Sequence, residues 1–123
     1  MNRPCLMIFT EDASSQSVIE QIAAEMDFEI YPVGQGAPLA QYVKTLLPIM
    51  LIVDLTGSVT DWLFRHISEI KNSNLTFPIV AIVKLQEESM RSRLQSAGVK
   101  SVLTKPELER LLPKIIENVL KMY

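Results

Sequence analysis

Short apolar runs alternate along this chain with segments of helical spacing. The runs are Leu6–Thr10, Phe28–Tyr31, Ile49–Asp54, Ile79–Val83 and Val99–Thr104, and each reads as a strand. Between them, Val18, Ile19, Ile22, Ala23 and Met26 recur at the helical period, which predicts a helix over Ser14–Met26 with Ser14 or Ser15 as its cap. Pro32 to Gly36 reads as loop. Pro38 opens a second helix carrying Leu39, Tyr42, Val43, Leu46 and Leu47, and Pro48 stops it. A third helix spans about Asp61–Lys71 with Leu63, Phe64, Ile67 and Ile70 as its inner stripe, after a loop around Thr56-Gly57-Ser58 and before a break at Asn72-Ser73-Asn74. Glu87–Ala97 is a polar helix closed by Gly98 as a left-handed cap. The last helix is placed from near Arg110 to the terminus, because Pro113 fits a helix only in its first turn.

The strands are continuously apolar rather than alternating, which marks a parallel sheet covered on both faces. Right-handed crossovers then give a doubly wound α/β sandwich of five parallel strands in the order 2-1-3-4-5. In that order the first and third strands lie side by side, and their ends share one rim.

Bulk composition narrows the class. With 123 residues, 48% of them hydrophobic, a single domain with a sizeable core is expected, with no output domain after Tyr123. A net charge of −2 argues against a dedicated nucleic-acid or anionic-membrane surface. A single cysteine, Cys5, excludes an internal disulfide and reads as a core thiol. No apolar stretch approaches the ~20 residues of a membrane span, so a cytoplasmic address is the default.

The candidate chemistry sits at strand ends. Asp54 closes the most apolar run, Glu11-Asp12 follows the first run, and Lys105 follows the fifth. A carboxylate is costly to bury unpaired, so Asp54 belongs at the strand exit with partners nearby. His66 reads as a surface or boundary histidine, Trp62 as partly packed, and Lys84 as either a solvated strand-end charge or a group that reaches into the acidic rim. Leu108, Leu111, Leu112, Ile115, Ile116, Val119, Leu120 and Tyr123 form an apolar stripe broader than one buried face needs. Its surplus either packs inside or meets a partner.

An acidic pair after strand one, an aspartate ending strand three and Lys105-Pro106 after strand five together resemble the receiver domain of bacterial two-component response regulators, over essentially the whole chain. The resemblance implies a flavodoxin-like fold and phosphoryl transfer from a histidine kinase or phosphotransfer protein to Asp54, with Lys105 binding the phosphoryl oxygens. It further implies a weakly held Mg²⁺ on Glu11, Asp12, Asp54 and the Thr56 carbonyl, and a cis peptide before Pro106. It implies no enzymatic turnover beyond self-dephosphorylation. Downstream contact would fall on the face of helix four, strand five and helix five, with homodimerisation possible. The sequence departs from the family pattern at two places. Val83 stands where a Thr or Ser hydroxyl is usual, and Val102 where a Tyr or Phe is usual. Those departures support an alternative: a pseudo-receiver that binds partners irrespective of phosphorylation. A flavodoxin-like cofactor enzyme is disfavoured, because no glycine-rich phosphate loop follows strand one.

Overall fold

The computed structural model describes residues 4–57, 60–74 and 76–121; Ser58 and Tyr123 of the readings above lie outside them. Among the described residues, strands and helices alternate as β1 (Cys5–Phe9), α1 (Ala13–Glu25), β2 (Glu29–Val33), α2 (Leu39–Leu46), β3 (Met50–Asp54), α3 (Thr60–Ser73), β4 (Ile79–Val83), α4 (Glu88–Ala97), β5 (Ser101–Thr104) and α5 (Lys105–Leu120). All strand pairs are parallel, and the sheet order is β2-β1-β3-β4-β5. The expected doubly wound sheet is the observed one.

Alternate strand residues point to opposite faces, and in β3, β4 and β1 beyond Cys5 both faces are buried, whereas the edge strand β2 is largely exposed. Leu6, Ile8, Met50, Ile52, Val80, Ile82 and Leu103 pack under α1 and α5. Met7, Phe9, Leu51, Val53, Ile79, Ala81, Val83 and Val102 pack under α2, α3 and α4. Double coverage is why the strands carry no polar alternation.

Several local expectations need correction. The cap of α1 is Asp12, not a serine: its carboxylate accepts from the Ser14 N–H at 3.1 Å, and the Ser14 and Ser15 hydroxyls donate to that carboxylate in turn. Pro32 and Val33 belong to β2, an edge strand where proline's missing N–H need not break a ladder. Helix α3 runs on through Asn72 and Ser73. Helix α5 starts at Lys105, leaving Pro113 inside it. The Thr104-x-x-Glu107 signature explains that start, since Glu107 Oε1 accepts from both the backbone N–H and the hydroxyl of Thr104, each at 2.9 Å. Burial of Leu108, Leu112, Ile116 and Val119 carries the helix past the proline. No peptide bond among the described residues is cis, so Pro106 sits trans in the first turn of α5, where its fixed φ suits a helix.

Candidate functional site

The register Phe9↔Val53 brings the residue after β1 level with the end of β3. Thr10 therefore lies beside Asp54, and its hydroxyl donates to Asp54 Oδ2 at 2.6 Å. From the other side, the Thr56 hydroxyl donates to Asp54 Oδ1 at 2.6 Å and the Thr56 N–H donates at 2.9 Å. Asp54 is 3% exposed, a burial tolerable for a carboxylate because both oxygens have donors.

Asp12 is drawn elsewhere. Its carboxylate forms an ion pair with Lys105 Nζ, and Lys105 also donates to the Ser14 hydroxyl at 3.0 Å. The Lys105 contact first, then the Ser15 and Ser14 donors, hold Asp12 far below the usual carboxylate range. Glu11 is exposed, and its carboxylate lies across Gly57 so closely that a Cβ there would sit 2.8 Å from Glu11 Oε1.

The predicted site residues thus share one rim, but Glu11, Asp12 and Asp54 do not point at a common centre. Among the described residues no group of three His, Cys, Asp or Glu side chains is arranged to hold a metal ion. The oxygen donors suit Mg²⁺ in kind. Their present arrangement does not fit it, because the carboxylates of Asp12 and Asp54 are already taken by Lys105 and by threonine and serine donors.

At this rim opens a cleft of about 500 Å³ lined by Asp12, Thr56, Val83, Lys84, Lys105 and Pro106. Lys84 is exposed at its edge, while Val83 and Val102 are buried in the same apolar cluster and offer the cleft no hydroxyl. Trp62 is half-buried, its ring 5.2 Å from Phe9 and 4.5 Å from His66. His66 is a boundary residue whose Nδ1 makes no hydrogen bond and lies 4.0 Å from Glu69.

Solved structures with this arrangement of strands and helices include CheY-like and response-regulator proteins. A CheY-like protein (TadZ) from Pseudomonas aeruginosa superposes with a TM-score of 0.83 at 14% identity, covering 94% of this chain and 98% of that one. Chemotaxis protein CheY4 of Vibrio cholerae gives 0.79 at 13% identity, covering 95% and 98%. A response regulator protein from Burkholderia multivorans gives 0.77 at 13% identity, covering 95% and 94%.

This chain has the receiver fold.

No protein-family model and no curated protein matches the sequence. The acidic pair, Asp54 and Lys105 of this receiver fold stand at the strand ends where the sequence places them. Thr10 was not singled out from the sequence; only the β1–β3 register brings it to Asp54. The Thr56 carbonyl is the expected ligand atom, whereas the Thr56 hydroxyl and N–H do the bonding seen here. Gln86 was also missed. Its Nε2 donates to the Val102 carbonyl at 2.9 Å and to Glu107 at 3.0 Å, tying the β4–α4 loop across β5 to α5. No periodicity marks a loop glutamine for such a role.

Among the described residues no helix is long and apolar enough to cross a membrane.

Proposed function

We propose that this receiver-fold chain is an interaction module, a pseudo-receiver that signals by protein contact and chooses its partner without phosphorylation of Asp54. The observation that carries this reading is the closed state of Asp54: both carboxylate oxygens accept short hydrogen bonds from the flanking threonines, and the side chain is 3% exposed. A nucleophile so engaged must shed donors before it can attack a phosphorus atom. Lys105 is committed to Asp12, and Val83 supplies no hydroxyl to read out a phosphoryl group. The module turns over no substrate, and its contact surface is the face of α4, β5 and α5.

A second reading keeps Asp54 as the phosphoacceptor of a histidine kinase or phosphotransfer protein. The placement of Lys84 beside Lys105 in the cleft favours it, since two ammonium groups suit phosphoryl oxygens. In that case Asp12 would have to leave Lys105 for a Mg²⁺ shared with Glu11, Asp54 and the Thr56 carbonyl.

Intact mass after exposure to a small phosphodonor with Mg²⁺, alongside Trp62 fluorescence, separates the two. The pseudo-receiver gains no phosphoryl mass under conditions that label an ordinary receiver. A gain in wild type that is absent from Asp54→Asn would establish the second reading instead.

A further inference from the structure

At the edge of the sheet opposite β5, the strand β2 and the end of α2 leave apolar surface uncovered. Tyr31 of β2 and Leu46 and Leu47 of α2 and its cap are exposed, and the Tyr31 ring meets that of Tyr42 edge-on at 5.9 Å. Tyr42 and Leu46 stand one turn apart on the same face of α2. Leu47 is the outlier. It ends α2 in the left-handed conformation, φ 50° and ψ 51°, a place that glycine or asparagine usually takes. A leucine there carries backbone strain, and its side chain, 76% exposed, packs little within the chain in return. Strain of this kind persists at sites that bind.

The backbone of β2 decides what can cover this patch. The Glu29 N–H donates to the Pro4 carbonyl at 3.0 Å, so Glu29 and Tyr31 turn their backbone groups toward β1, while Ile30 and Pro32 turn theirs to the open edge. Pro32 has no N–H, and that of Phe28 is taken by the Ala23 carbonyl at 2.8 Å. Ile30 is therefore the one residue from 28 to 32 that offers the edge a donor. A long foreign strand would gain little from it. A second β2, antiparallel and centred on Ile30, matches it fully, since directly opposed residues exchange both N–H···O bonds. That register sets Glu29 opposite the tyrosine at position 31 of the other copy, with no like charges directly opposed. It also places both α2 helices on the same face of the joined sheet, with their exposed leucines near the junction.

We propose that this face joins two copies of the chain into a two-fold dimer with one continuous ten-stranded sheet, in which Leu47 anchors the contact. Such an interface closes on itself. It leaves the α4–β5–α5 face free at the far edges and does not depend on whether Asp54 is phosphorylated.

Sedimentation of the full chain tests it, up to a concentration of about 100 µM. The wild type should be dimeric there. Leu47→Gly relieves the left-handed strain and removes only an exposed side chain, so the fold is retained and the dimer should weaken by about tenfold or more. In a Cys5→Ser background, Ile30→Cys should form an interchain disulfide on mild oxidation, because opposed residues of such a pair lie within bridging distance. A wild type that stays monomeric, a dimer that Leu47→Gly leaves unchanged, or a dimer in which Ile30→Cys does not cross-link would overturn the proposal.

Discussion

Thr10 and Asp54, 44 residues apart in the chain, are joined by a 2.6 Å hydrogen bond across the first and third strands. The bond supplies a donor to a carboxylate that is 3% exposed, and Thr10 is itself only partly buried. Thr10→Val keeps the shape and removes that donor. It should lower stability by about 1–3 kcal/mol, the range for leaving a buried polar group short of a partner. Thr10→Ser should lose much less. Urea denaturation of the three proteins checks this, and equal midpoints for wild type and Thr10→Val would refute it.

The Asp12–Lys105 ion pair sets an acid limb. The Asp12 carboxyl is held below its unfolded value, chiefly by Lys105. A depressed carboxyl contributes stability that is fully present above its unfolded pKa, about 3.9, and is lost as pH falls through the lower folded value. Wild type should therefore exceed Asp12→Asn in stability at neutral pH, with the gap narrowing once pH drops below about 4. Unfolding curves for both proteins across that range decide it. A gap independent of pH would show that Lys105 and the serines do not favour the charged form.

Pro113 interrupts α5 near its middle and removes the N–H that would bond the carbonyl of Glu109. Proline costs about 3 kcal/mol relative to alanine inside a helix, while its stiffness in the unfolded chain returns up to about 1 kcal/mol. Pro113→Ala should therefore stabilise the protein by about 2 kcal/mol. A melting temperature that does not rise would refute this.

Val83 and Val102 are both buried on the α2–α3–α4 side of the sheet, without a hydroxyl or a ring to convert a phosphoryl group into movement. A ligand shifts an equilibrium only by its differential affinity for the two states. Any amide chemical-shift response to beryllofluoride should therefore stay confined to the surroundings of Asp54 and leave α4 and β5 nearly unchanged. Val83→Thr alone should not restore a large response, since position 102 still lacks a ring. Large shifts along α4 and β5 in the wild type would contradict this.

Much of this architecture is legible in the residues themselves. Runs such as Ile49–Val53 and Ile79–Val83 are apolar throughout because a parallel sheet is buried on both faces, and that composition leaves few alternatives. The rim position of Asp54, Asp12 and Lys105 follows, because each stands where a parallel strand ends. Helix ends were harder to read. The expected start of α5 near Arg110 gives Pro113 too much weight, a local penalty that four buried side chains outweigh.

Which way the site residues face was decided by the fold alone. Sequence placed Glu11, Asp12 and Asp54 on one rim; packing then turned Asp12 toward Lys105 and laid Glu11 across Gly57. Thr10 and Thr56 came to surround Asp54. Composition and periodicity register burial, a property summed over many contacts and tolerant of small shifts. A hydrogen bond depends on distances of a few tenths of an ångström between residues far apart in the chain. Those distances exist only after strands have paired in register, so the Thr10 donor belongs to the tertiary structure, whereas the Thr56 donors close a local turn two residues past Asp54.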